Sequence, residues 1–167
     1  MLSEKIELNL TSVLDSLHQV EKFVENICDE FNINNTYFGN ILIVLTEAVE
    51  NAIIHGNKNN PAKVVSLVFI SKPEGLSFSI TDEGNGFDTS NIPDPTDISQ
   101  EEIKGRGIFL IKSLADEIIY SNNGKTLEVI FKISSINNEM ATERINMLKK
   151  YSNPKEISSI ENRNKQS

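Results

Sequence analysis

Thr46-Glu-Ala-Val-Glu-Asn-Ala-Ile-Ile-His-Gly56 decides how this chain is read. A helix advances about 100° per residue, so with Glu47 at zero Asn51 lies near 40° and His55 near 80°. Ile41, Leu45, Ala48 and Ala52 fall between roughly 100° and 160° on the same wheel. The polar triplet therefore borders an apolar face, with Ile43 and Ile54 on its other side. A carboxylate in that position is partly desolvated, which raises its proton affinity. Such a base suits proton abstraction from a hydroxyl near neutral pH. Asn51 offers a neutral oxygen, a ligand type that Mg²⁺ accepts alongside phosphates and waters. His55 reads as a capping or supporting residue.

Two glycine-bearing stretches follow in order. Ile80-Thr-Asp-Glu-Gly-Asn-Gly-Phe87 is a strand that breaks into a turn. Gly84 and Gly86 remove side chains where the chain must turn or lie against a flat ring. A carboxylate at a strand end, Asp82, can accept a hydrogen bond from an exocyclic amine such as adenine carries. Lys104-Gly-Arg-Gly-Ile-Phe-Leu-Ile111 reads as a turn opening a helix at Gly107. Gly105 and Gly107 there let backbone amides approach an anion, and Arg106 and Lys104 add positive charge. The Gly-Lys-Ser/Thr ending of a Walker A loop and the Gly-x-Gly-x-x-Gly turn of a dinucleotide fold are both missing. Taken singly, the three stretches also read as a solvated helix edge, an ordinary turn and a helix start. Their joint occurrence points to a nucleotide pocket.

The surrounding pattern gives the fold class. Residues 5–9 alternate like a strand, and Thr11 or Ser12 is placed to cap a helix running to about Asp29. Its apolar stripe is Leu14, Leu17, Val20, Phe23, Val24 and Ile27. A second helix is expected over residues 36–55, stopped by Gly56. Residues 64–71 and 76–81 form a hairpin across Lys72-Pro-Glu-Gly75, and residues 118–121 and 126–133 another across Asn122-Asn-Gly-Lys125. Residues 87–102 are polar, contain Pro93 and Pro95, and read as a loop. Helices gathered on one face of a mixed, mostly antiparallel sheet make an α+β two-layer sandwich.

Length and composition bound the rest. The 167 residues suffice for one domain with a sizeable core. The domain is expected over residues 1–134, followed by a short amphipathic helix and a polar, disordered tail over 135–167. No leader is read at the N-terminus, and no apolar run reaches the roughly 20 residues of a membrane span. Cys28 is the one cysteine, which fits a reducing, cytoplasmic setting. The net charge of -8 argues against direct nucleic-acid binding. Residues from Ser135 onward hold six basic and four acidic side chains, so the acidity lies in the body. An acidic body serves solubility or faces a basic partner.

Glu47-Ala-Val-Glu-Asn-Ala-Ile-Ile-His-Gly56 resembles the N box of the Bergerat-fold ATPases, the superfamily of gyrase, histidine kinases and mismatch-repair ATPases. Asp82-Glu-Gly-Asn-Gly86 resembles their first glycine box and Gly105-Arg-Gly-Ile-Phe109 their second. Over about residues 6–133 the chain is most similar to the bacterial anti-sigma factor serine kinases. The resemblance implies three helices over a sheet, and ATP with Mg²⁺ as cofactors. It implies Asn51 as metal ligand, Asp82 as adenine reader, Gly84 and Gly86 beside the adenine, and Gly105, Arg106 and Gly107 at the phosphates. A lid is implied over residues 89–104, and Thr126 stands where the family places a threonine near the adenine. Glu47 is implied as general base for a serine hydroxyl.

The partners so implied are a sigma factor, which is sequestered, and an anti-anti-sigma protein, which is phosphorylated. A homodimer is implied, with no membrane contact. The tail after Ser135 departs from the compact family pattern. A nucleotide-gated binding module without kinase turnover is the alternative. A histidine kinase core fits less well, because His18 has too little chain before it to sit on a dimerising helix pair.

Overall fold

The computed structural model describes residues 4–87, 103–133 and Leu148. By contacts the chain divides into Met1–Lys132 and Ile133–Ser167. The expected tail helix lies outside the described residues, Leu148 apart.

The first unit follows the order β1 (Lys5–Thr11), α1 (Leu17–Glu30), α2 (Asn35–Asn51), β2 (Val64–Lys72), β3 (Gly75–Thr81), α3 (Ile103–Leu114), β4 (Glu117–Ser121) and β5 (Thr126–Phe131). The strands form one sheet in the order β1-β2-β3-β5-β4. Every neighbouring pair is antiparallel, so the sheet uses no parallel pairing. Three helices pack against it, giving the expected two-layer α+β sandwich.

Side chains alternate faces along a strand, so register decides which residues meet. Leu8 pairs with Leu67, Leu67 with Ile80, Ile80 with Leu127, and Leu127 with Tyr120. That row crosses the whole sheet on its helix-facing side. Beside it Phe31, Phe69, Phe78 and Phe131 form a chain of ring contacts with centroids 5.0, 5.2 and 6.1 Å apart. The first and last of these contacts are edge-to-face and the middle one is tilted, and such pairs add to the stabilisation from the area that the rings bury.

The opposite face of the sheet mixes polar side chains with Val68, Ile70, Ile119 and Ile130. Glu128 Oε1 there accepts hydrogen bonds from Ser77 Oγ at 2.6 Å and Lys72 Nζ at 2.8 Å. Thr81 and Thr126, directly opposed, bring their hydroxyls to 3.0 Å.

By length and composition alone, Asn35–Gly56 would span a bilayer, contrary to the expectation that no run is long enough. In the fold its apolar face supplies Ile41, Val44, Leu45, Ala48 and Val49 to the core, while Glu47, Glu50 and Asn51 are partly exposed.

Three local expectations give way. A 3₁₀ turn over Leu14–Ser16 precedes α1, and Leu14, placed on the apolar stripe by spacing, is 51% exposed. Ser12 does not cap α1, because its hydroxyl is buried and donates to the Lys63 carbonyl at 2.8 Å. The second helix does not run regularly to His55. It passes at Ala52–Gly56 into a wider π turn, closed by the Asn57 amide donating to the Ala52 carbonyl at 2.8 Å. Such turns are rare and concentrate at functional sites.

Candidate nucleotide site

A cavity of about 580 Å³ opens between α2, α3 and the ends of β3, β4 and β5. Its size falls within the usual range for small-molecule clefts. The row of paired residues described above ends here, so Ile80, Leu127 and Tyr120 form the floor. Ala48 and Ala52 from the end of α2 and Ile108 and Ile111 from α3 supply further apolar wall. Against these, Asn51, His55, Asp82, Asn85 and three lysines, Lys58, Lys63 and Lys125, supply the polar lining. Phe87 packs its ring edge-to-face on Tyr120 at 5.3 Å along the same wall. A flat apolar ring system bearing a polar edge and an anionic group fits such a lining.

Asp82 is fixed from two directions. Its backbone N–H donates to the Lys125 carbonyl at 3.0 Å. Its Oδ1 accepts from the Gly84 N–H at 2.8 Å. The other side of the carboxylate lies against Gly56, so close that a Cβ on Gly56 would overlap it. A Cβ on Gly84 would in turn overlap the Gly56 carbonyl oxygen. The π turn and the strand-end turn are thus pressed together through two glycines. Burial pushes the Asp82 carboxyl above its ordinary range, opposed by the Gly84 N–H and by Lys125 and Lys63. Gly86 holds φ +75°, the left-handed region that glycine enters without strain, and its α-carbon faces the Asn123 carbonyl.

The second glycine pair is placed differently from the expectation. α3 begins at Ile103, four residues before Gly107, so Gly105 and Gly107 are helical and do not form a turn ahead of the helix. Gly105 lies in its first turn, where backbone N–H groups lack helical partners. Gly107 lies against α2: a Cβ there would come 2.9 Å from Glu47 Oε2 and 3.3 Å from Asn51 Nδ2. The absence of a side chain lets α3 close on this pair. Of the lid read over residues 89–104, residues 89–102 lie outside the described residues and 103–104 belong to the first turn of α3. The Arg106 side chain also lies outside the described residues.

Glu47 sits one turn before Asn51, partly exposed, with its carboxyl raised by burial first and by the Glu50 charge second. It is not among the residues lining the cavity, whereas Asn51 is. His55 lines the cavity and is exposed. Among the described residues, no cluster of three or more His, Cys, Asp or Glu side chains could hold a metal ion. A single amide oxygen at Asn51 still suits Mg²⁺, which keeps waters and substrate phosphates as its other ligands.

Thr126 is brought to the site's edge but not into it. Its neighbour Leu127 takes the helix-facing side, so Thr126 points to the outer face and bonds Thr81. Reasoning from sequence also missed the three lysines, Tyr120 and a buried amide, Asn57. Asn57 directly follows the glycine that ends the helical run, and that position was the only sign of it. The lysines carry no pattern, because they come from two separate loops.

The family of histidine kinase-like ATPase domains matches residues 10–131. An anti-sigma F factor of Anoxybacillus flavithermus is 36% identical over 96 residues, 54% of this chain and 66% of that protein, just under two thirds of its length. An anti-sigma F factor of Clostridium acetobutylicum is 26% identical over 136 residues, 79% of this chain and 94% of that protein. Serine-protein kinase RsbW of Staphylococcus aureus is 34% identical over 97 residues, 52% of this chain and 60% of that protein. A crystal structure of RsbU and RsbW domains from Mycobacterium tuberculosis superposes with a TM-score of 0.56 at 15% identity, covering 77% of this chain and 32% of that one. That last likeness speaks for the fold. With residues 10–131 of its 167 matched, the chain belongs to the histidine kinase-like ATPase domain family.

Proposed function

We propose that this chain is an ATP-dependent serine kinase that also acts as an anti-sigma factor. The observation that carries the reading is the meeting of Glu47, Asn51 and Gly107 at the α2–α3 seam, beside a cleft that holds Asp82. Asp82 accepts the adenine amine with the carboxylate oxygen that Gly84 leaves open, and Gly84 and Gly86 border the ring. Asn51 holds Mg²⁺, which supplies charge neutralisation at the phosphates when bound. Gly105, Arg106 and Gly107 bring the first turns of α3 to the phosphate end, and Thr126 supports the adenine end through Thr81.

Glu47 does the proton chemistry. Its raised carboxyl is a stronger base than an ordinary glutamate, so it takes the proton from a serine hydroxyl as that oxygen bonds the γ-phosphorus of ATP and the bond from that phosphorus to the bridging oxygen breaks, ADP leaving with the electron pair. Glu47 lies outside the cavity wall, where a serine carried on a second protein reaches it. The names of the related proteins support a protein serine as the phosphoryl acceptor and a sigma factor as the sequestered partner. The family resemblance adds an anti-anti-sigma protein as the carrier of that serine. In this reading the chain works as a cytoplasmic homodimer.

Incubation with Mg²⁺, γ-labelled ATP and an anti-anti-sigma protein tests the reading. Label on a partner serine is expected, along with ATP-dependent capture of a sigma factor. ATP-dependent capture without label leaves a nucleotide-gated binding module, and neither result removes the proposal.

A further inference from the structure

Asn57 is fully buried, yet it does not line the cleft described above and belongs to no sequence motif read above. All of its side-chain polar groups are engaged. Its Nδ2 donates to Ser12 Oγ at 2.8 Å and to the Val64 carbonyl at 3.1 Å. Its Oδ1 accepts from the Glu83 N–H at 2.7 Å. Its own backbone N–H closes the π turn on the Ala52 carbonyl. One amide therefore ties the end of β1, the start of β2, the end of α2 and the turn after β3.

Ser12 fixes which way that amide faces. Its hydroxyl already donates to the Lys63 carbonyl, so it can only accept from Asn57. The Val64 carbonyl likewise only accepts. Both Nδ2 hydrogens are thereby committed, and Oδ1 is left for Glu83. Glu83 lies between Asp82, whose carboxylate rests against Gly56, and Gly84, whose N–H holds Asp82 Oδ1. Clamping the Glu83 amide sets the height of that turn against the π turn. A buried network of this kind is stiff when fully satisfied.

We infer that Asn57 is a positioning residue for nucleotide base recognition, acting through the Glu83 amide to aim Asp82 at the 6-amino group. The inference rests on the proposed role of Asp82 as adenine reader. Asn57 touches no ligand, so its effect falls on the amine contact and spares the rest of the nucleotide. A purely structural residue would weaken every nucleotide alike.

The test is calorimetric titration of the full chain, with Mg²⁺, against ATP and against purine riboside triphosphate, which lacks the 6-amino group. Wild-type protein should prefer ATP, and Asn57→Ala should shrink that preference by about tenfold, the weight of one good hydrogen bond. Binding of purine riboside triphosphate should change little. Asp82→Ala combined with Asn57→Ala should lose no more discrimination than Asp82→Ala alone. Should Asn57→Ala fail to fold, Ser12→Ala removes one of the two acceptors that hold Nδ2, loosens the amide without turning it over, and should shrink the preference by a smaller factor. Equal weakening of both nucleotides, or an intact preference in both variants, overturns the inference. No preference in the wild type instead overturns the reading of Asp82.

Discussion

Gly107 in α3 stands so close to Glu47 in α2 that one added methyl would come 2.9 Å from the carboxylate oxygen Oε2. Neither helix can take up that methyl without moving the other's key group. Gly107→Ala is expected to slow phosphoryl transfer by about 10²-fold, the cost of a misplacement near 1 Å. ATP affinity should fall far less, because the cleft floor is built by the sheet. Transfer rates set beside titration calorimetry separate the two effects, and equal losses in both would argue against a role for this contact in catalysis.

Glu47→Gln removes the proposed base while keeping its shape. Transfer should slow by about 10² to 10⁴-fold with ATP still bound. The same residue sets the acid limb of the rate profile. Its carboxyl lies above the ordinary value, so it ionises only at higher pH, and activity rises as pH climbs through that raised value. The Glu50 charge contributes to the rise, so Glu50→Gln should move the limb towards lower pH. It should not restore an ordinary carboxylate, since burial is the larger cause. A limb unmoved by both changes would assign the titration to another group.

Asp82→Ala should weaken ATP by about 10- to 100-fold, the range for a hydrogen bond to a charged group. GTP offers a carbonyl where adenine offers its amine, so its binding should change little. Competition binding with the two nucleotides checks this. A similar loss for both would point to collapse of the turn, which Asp82 also holds through the Gly84 N–H.

The outer face of the sheet gives an acid-sensitive element away from the site. Lys72 and Ser77 hydrogen bonds hold Glu128 below its ordinary carboxyl range. A depressed carboxyl stabilises the fold above its unfolded pKa and loses that contribution as pH falls through the folded value. Ser77→Ala should cost about 1 kcal/mol near neutral pH and almost nothing in strong acid. Thermal melts at both extremes measure the difference. The partial exposure of Lys72 and Glu128 keeps the ion pair's own share small.

Much of this was legible because local pattern survives folding. Val- and Ile-rich composition and two hairpin turn signals placed β2, β3 and β5 to within about two residues, and a helical wheel put Glu47 and Asn51 on the border of the apolar face. What sequence missed depends on contacts between distant segments. Ser12 looks like a cap by its neighbours, but Lys63 and Asn57 claim its hydroxyl. Gly105 and Gly107 look like a turn, yet both lie within α3, and Gly107 packs there on α2. Thr126 faces away from the cleft because register gives the inner position to Leu127. The wide turn at Ala52–Gly56 has no local mark, since Ala-Ile-Ile-His would continue an ordinary helix equally well.

That wide turn also gives assembly a direction. Residues 52–56 by themselves would continue an ordinary helix, and the seam of Gly56 against Gly84 and Asp82, together with the Asn57 network, holds them open. The seam exists only once β3 has paired and its exit loop has docked. The helix can therefore form early, but its last coil is finished by the sheet. Until then the chain would carry a straight rod whose tip faces elsewhere, and ligand affinity would arrive with the final step of maturation.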